Sequence, residues 1–170
     1  MPHVEVLIGS PSDLKFLKDS KLVAGLKNAD ITVAVSACSA HRNDAELTER
    51  INAVIGKTNA FVCAAGWSAA LPGAVKAKLL GRSLATVFGV ALPSDAYPDA
   101  ADALMSIKRL PPGIDVICPE DVGSAGFDNI LYQVVDAAQS YDPTSPDQSQ
   151  LEAVRAKIKQ PQFDINLEED

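Results

Sequence analysis

The run Ala60-Phe61-Val62-Cys63-Ala64 is unbroken in apolar character and leads into Ala65-Gly66-Trp67-Ser68-Ala69-Ala70-Leu71-Pro72-Gly73, a turn of mostly small residues. A strand covered on both faces reads as a continuous apolar run, and such strands belong to parallel sheets packed between helices. Val4–Ile8, Ile31–Val35, Leu84–Val90 and Ile114–Ile117 are nearly continuous apolar runs rather than alternating ones, most of them with β-branched residues. Between the runs the period changes. Residues 43–57 set Leu47, Ile51, Val54 and Ile55 on one helical face, with Asn43 and Glu46 spaced as a capping box. Residues 124–139 repeat the stripe through Phe127, Ile130, Leu131, Val134, Val135 and Ala138, with Ser124 as the expected cap. Residues 13–28 carry a less regular stripe. Strands alternating with helices predict βαβ crossovers, hence a doubly wound parallel sheet with helices on both faces. The fold class is α/β, in three layers.

The 170 residues suit one domain, and 47% apolar with 22% charged residues is ordinary globular composition. Fifteen basic against 22 acidic side chains leave a formal charge of −7, which counts against nucleic acid and membrane surfaces as partners. No apolar run reaches the ~20 residues of a spanning helix. Met1-Pro2-His3-Val4-Glu5 lacks the basic-then-apolar layout of a secretion signal. Cys38, Cys63 and Cys118 sit in apolar stretches without metal-ligand spacing and read as buried reduced thiols, so no metal and a cytoplasmic setting are expected. Past Tyr141 the composition shifts. Asp142-Pro143-Thr144-Ser145-Pro146 reads as a linker, and 142–170 holds seven acidic against three basic side chains. The expected division is a domain over residues 1–141 and an acidic C-terminal extension over 142–170. Within that extension 148–159 can form a short helix, and the rest is a solvated arm or a segment ordered against a neighbouring subunit.

Ligands of parallel sheets bind beyond the carboxyl ends of the strands. Three loops there have unusual content. In Gly9-Ser10-Pro11-Ser12-Asp13, Gly9 allows close backbone approach, Pro11 suits a first helical turn, and the N–H groups and two hydroxyls suit a phosphate. A carboxylate repels phosphate, so Asp13 is matched to ribose hydroxyls. The same loop also reads as a plain helix cap, Ser10 with Asp13. In Ser39-Ala40-His41-Arg42, His41 is the natural proton carrier near neutral pH and Arg42 offers a planar fork to phosphate. A satisfied loop histidine beside a surface arginine is the bland reading. His3, near the terminus, is given no role. In 64–73 the small residues let backbone line a cavity and donate to a flat ring, with Leu71 and Pro72 covering one face; a tight turn that packs well is the alternative.

Taken together, Gly-Ser-Pro-Ser-Asp, then Ser-Ala-His-Arg, then a small-residue loop ending Leu-Pro-Gly resembles the PurE family of N5-carboxyaminoimidazole ribonucleotide mutases. The resemblance runs over about residues 4–139, through Gly89-Val90, Ser94, Leu104-Met105-Ser106-Ile107, Leu110-Pro111-Pro112-Gly113 and Gly123-Ser124-Ala125-Gly126. It implies a flavodoxin-like fold, a homo-octamer with the C-terminal part at subunit contacts, no cofactor, and a ribonucleotide of purine biosynthesis as substrate. It implies further that Ser10, Ser12 and Arg42 hold the phosphate, Asp13 the ribose, and that His41 moves the proton. Gly9, Ser39, Ala40, Gly66, Ala69 and Leu71 would complete the substrate-binding set, the backbone around Ala40 and 66–71 surrounding the aminoimidazole and the carboxyl group. Arginine after the histidine resembles the mutase class, whereas the carboxylase class tends to lysine. The third loop departs from the family's Gly-Gly-Ala-Ala-His-Leu-Pro-Gly: Trp67 stands for a glycine and Ala70 for a second histidine. An indole there is expected to close or reshape the pocket. Three other readings share the architecture: an aminoimidazole ribonucleotide carboxylase, a nucleotide-binding relative without catalysis, and a flavodoxin-type carrier or phospho-receiver. The first loop lacks the acidic pair a receiver needs, and a flavin would rest on analogy of fold alone.

Overall fold

The computed structural model describes residues 1–158. Strands β1 (His3–Ile8), β2 (Thr32–Ala37), β3 (Ala60–Ala65) and β4 (Thr86–Ala91) form one parallel sheet in the order β2-β1-β3-β4. Val6 stands between Val35 and Val62, and Val62 is beside Phe88. The chain leaves β1 on one side to make β2 and crosses to the other side for β3. That reversal opens a crevice outside the carboxyl ends of β1 and β3.

Helices α1 (Leu14–Lys18), α2 (Leu22–Asn28) and α6 (Gly123–Ser140) cover one face, where Val4, Val6 and Ile8 pack with Leu22, Leu26, Phe127 and Ile130. On the other face α3 (Asp44–Val54), α4 (Leu71–Leu79) and α5 (Ala101–Lys108) set Leu47, Ile51, Val75 and Ile107 against Leu7, Phe61 and Cys63. Each such side chain contributes about 1.5–3 kcal/mol by leaving water. The α/β, doubly wound, flavodoxin-like reading describes this molecule.

Several local expectations are corrected. Ile114–Ile117 is not a strand. Only Ile117 pairs, donating to the Val87 carbonyl at 3.0 Å and accepting from Gly89 N–H at 2.8 Å. Pro111, Pro112 and Pro119 flank the run and supply no donors, which stops a ladder from extending. Nor is the second run buried on both faces. The strand begins at Thr32, and as the sheet edge it leaves Val35 42% exposed. Residues 13–28 are two helices behind a 3₁₀ turn at Pro11–Asp13, which explains the irregular stripe. The Ser20 hydroxyl donates to the Leu17 carbonyl at 2.7 Å, and Lys21 N–H is drawn to Asp128 at 2.6 Å, ending one helix and starting the next. Asn43 precedes α3 but its side chain makes no capping bond. Ser124 lies inside α6 and donates to the Phe16 carbonyl at 2.9 Å, holding α1 on α6 instead of capping. Cys38 and Cys63 are buried and Cys118 only partly; burial pushes the Cys118 thiol up to about 11.

Tyr141 ends α6 and anchors the C-terminal segment, its hydroxyl accepting from Leu84 N–H at 3.3 Å. Asp147 caps α7 (Gln148–Lys157) through Ser149 N–H at 2.9 Å. Leu151 is buried and Arg155 Nε donates to the Gly81 carbonyl at 2.6 Å, so α7 is tied to the sheet-bearing part of the chain. The expected helix is there; the end of the proposed extension, with Lys159 and its last four acidic residues, lies outside the described residues. Among the described residues no helix is long and apolar enough to cross a membrane.

Candidate active site

Loops from the carboxyl ends of all four strands surround one cavity of about 340 Å³. In the first, Pro11 opens the 3₁₀ turn, Ser10 Oγ accepts from Ser12 N–H at 3.4 Å and lies 2.9 Å from Ser12 Oγ. Two hydroxyls therefore stand together at the wall, followed by Asp13. The cap reading and the ligand reading describe the same atoms. Gly9 brings the first loop close to the third, since a Cβ there would lie 3.1 Å from Ala65 Cβ. Burial raises the Asp13 carboxyl above its ordinary value, against a backbone hydrogen bond at Ser10 and the charges of Lys15 and Arg42.

That shift has a definite sign. A carboxyl whose folded pKa is raised binds its proton more tightly when folded, so its contribution is lost as pH rises from about 3.8 through the folded value. Asp13→Asn is accordingly expected to raise the melting temperature near pH 7, with the gain disappearing by about pH 3. Thermal melts across that range check it; an equal effect at both ends would contradict the burial penalty.

In the second loop the buried Ser39 hydroxyl accepts from the N–H groups of both His41 and Arg42 at 3.3 Å. This bracket folds the loop so that both side chains are exposed on the cavity wall. Arg42 Nη2 donates to the Gly9 carbonyl at 3.3 Å, joining the second loop to the first. Ser39 thus has a loop-holding task besides lining the cavity.

The third loop brings its backbone hard against the fourth. A Cβ on Gly66 would lie 3.0 Å from the Leu92 carbonyl oxygen, and the Ala65 carbonyl accepts from Leu92 N–H at 3.0 Å. Ser68, Ala69 and Ala70 line the cavity with little bulk, and Leu71 reaches it from the start of α4 while 2% exposed. Pro72 does not cover a ligand face: it sits in the first turn of α4 and packs on β4, where a Cβ on Gly89 would meet its Cβ at 3.2 Å. Trp67 neither fills nor closes the cavity. Its indole stands at the rim, 58% exposed and perpendicular to the Tyr97 ring with centroids 5.5 Å apart.

Every residue expected at the site lines this cavity: His41, Gly9, Ser10, Ser12, Asp13, Ser39, Ala40, Arg42, Gly66, Ala69 and Leu71. Residue reasoning missed Lys15, Phe16, Pro93 and Asp95, which line it too. The last two follow β4, so the rule that loops after strands bear the site pointed there already. His3 is at the far end of β1, in a structural cluster with Glu5.

The family model described as AIR carboxylase matches residues 3–135. The N5-carboxyaminoimidazole ribonucleotide mutase of Methanocaldococcus jannaschii is 40% identical over 111 residues, 65% of this chain and 64% of that protein. The protein of that name from Mycobacterium leprae is 34% identical over 116 residues, 68% of this chain and 64% of its own. The chain thus spans under two thirds of the length of these relatives. In fold it is similar to the crystal structure of Treponema denticola PurE, with TM-score 0.58 and 23% identity over 94% of this chain and 100% of that one. With the family model matched from β1 into α6, across all four strands and the loops that line the cavity, the chain belongs to the AIR carboxylase family.

Proposed function

We propose that this protein is an N5-carboxyaminoimidazole ribonucleotide mutase, moving a carboxylate from the exocyclic nitrogen of the ribonucleotide to its ring carbon in purine biosynthesis. The observation that carries this is the meeting of the serine pair, Asp13, His41 and Arg42 with a wall of small residues around one cavity. Ser10, Ser12 and Arg42 hold the phosphate by charge-assisted hydrogen bonds, and Asp13 accepts from the ribose. Backbone at Ala40 and at 66–71 surrounds the ring.

The N-carboxylate is a carbamate. Protonation of its nitrogen by the His41 imidazolium breaks the N–C bond and releases carbon dioxide. The electron-rich ring carbon attacks that carbon dioxide, forming the C–C bond, and neutral His41 removes the ring-carbon proton to restore aromaticity. The proton count closes over the cycle. The enclosure's contribution is proximity: it keeps carbon dioxide beside the ring. The catalytic domain on this reading is 1–141, with 142–170 as an extension, in a cytoplasmic homo-oligomer that the resemblance makes an octamer.

The family model's description keeps direct carboxylation of aminoimidazole ribonucleotide as a second reading. The deciding experiment supplies each nucleotide with and without bicarbonate. Conversion of the N-carboxylated substrate independent of bicarbonate supports the mutase, whereas turnover only of the uncarboxylated nucleotide with bicarbonate assigns the carboxylase. Arg42→Ala is expected to raise KM about 10–100-fold with kcat nearly unchanged, because a phosphate contact kept throughout the reaction is uniform binding. Steady-state kinetics checks this, and a fall in kcat at constant KM would contradict it.

A further inference from the structure

Trp67 is the chain's one tryptophan, and it occupies a position that suits it poorly. Its φ of 55° lies in the left-handed region, which costs a side-chain-bearing residue free energy and favours glycine. Its indole gains little from burial, being 58% exposed, and its aromatic contact is a perpendicular one with Tyr97, itself 43% exposed. A strained backbone that presents an uncovered aromatic face at a cavity is an arrangement whose benefit comes with the ligand.

The surroundings say what sort of ligand face it meets. Trp67 lines the cavity beside Ser68 and Ala69, whose side chains are too small to cover a flat ring. Tyr97 is fixed behind it by a tight turn, in which Tyr97 N–H donates to the Ser94 carbonyl at 3.2 Å and Ser94 N–H to the Tyr97 carbonyl at 3.1 Å. With centroids 5.5 Å apart and planes at 85°, the perpendicular contact with Tyr97 braces the indole and takes up at most one of its two faces. The charged and hydroxyl groups for phosphate and ribose come from the first two loops, so a ribonucleotide bound to them leaves its heteroaromatic ring for the third.

We infer that Trp67, braced by Tyr97 at the rim of the cavity, stacks on the heteroaromatic ring of the bound ribonucleotide and sets the protein's preference for that ring. The inference rests on the proposed ribonucleotide site and adds a ligand contact made by this chain's own departure from glycine. Trp67 is a binding and specificity residue; the proton chemistry stays with His41.

Glycine relieves the backbone while removing the ring, so the two roles separate cleanly. Trp67→Gly is expected to melt about 2–4 °C higher than the parent, by release of the left-handed backbone strain. It is also expected to bind aminoimidazole ribonucleotide about tenfold more weakly by calorimetry, as for loss of one base–aromatic stack. Trp67→Phe keeps a stacking face and should bind within about threefold of the parent. In the parent, tryptophan emission reports from this single indole and should change on titration with the same nucleotide. Parent-like affinity in Trp67→Gly, equal loss in the glycine and phenylalanine variants, or unchanged emission at saturation would each overturn the inference alone. Absence of any calorimetric binding to the parent would overturn the ribonucleotide site and the inference with it.

Discussion

Replacing His41 by asparagine is expected to lower turnover of N5-carboxyaminoimidazole ribonucleotide by about 10²–10⁴-fold, the usual worth of a positioned proton carrier. Binding of aminoimidazole ribonucleotide should stay within about threefold, because the residues matched to phosphate and ribose are untouched. Asparagine preserves polarity and approximate size but neither gives nor takes a proton at neutral pH. The loop should keep its shape as well, since the Ser39 hydroxyl holds position 41 by its backbone N–H at 3.3 Å and not by its side chain. Single-turnover conversion alongside calorimetric titration measures both quantities. Turnover within about fivefold of the parent would remove His41 from the proton path.

The second large effect lies away from the cavity. Glu5 sits in β1 at 1% exposure, its carboxylate accepting from Arg50 Nη2 at 2.8 and 2.9 Å and from Nε at 3.3 Å, with His3 Nε2 at 2.9 Å. Arg50 comes from α3, so this pair fastens that helix over the sheet. Arg50→Ala strands a carboxylate with one partner left. Breaking a buried pair costs about 3–5 kcal/mol, and the lower end applies because water reaches the half-exposed arginine side. For a chain of this size the melting temperature should fall by about 6–12 °C. Glu5→Leu combined with Arg50→Met should recover most of the loss, since neither charge is then left unpaired. A drop in Arg50→Ala of less than about 2 °C would show the pair to be dispensable.

The architecture was legible because burial writes itself into composition. Val4–Ile8, Ala60–Ala64 and Leu84–Val90 are largely apolar because both faces of the sheet are covered there, and the structure has strands at these places within about two residues. The same logic misread Ile114–Ile117, since an apolar run states that a segment is buried on some side and leaves open whether it has ladder partners. It also missed the edge position of β2, which is a property of strand order. Caps failed for a related reason. Ser124 has the right type and place for a helix start, yet α1 passes near enough to take its hydroxyl.

At the site, the residues with distinctive chemistry were visible one by one. Ser10, Ser12, Asp13, His41 and Arg42 each stood in a loop after an expected strand, and the structure puts them around one cavity. Lys15, Phe16, Pro93 and Asp95 carried no such signature, because they belong to the site only by the way α1 and the loop after β4 fold toward it.

Residue types alone set the layers, the parallel sheet and the chemical character of three loops, since these follow from which residues avoid water and which carry donors, acceptors and protons. Folding settled that Ser39 commits its hydroxyl to its own loop, that Pro72 packs on β4, that Glu5 is buried against Arg50, and that the indole of Trp67 stands at the rim instead of inside. Each of these depends on which atoms from distant parts of the chain arrive within hydrogen-bond or packing distance. Residue type sets what a side chain is able to do, and the neighbours brought by folding select which of those things it does.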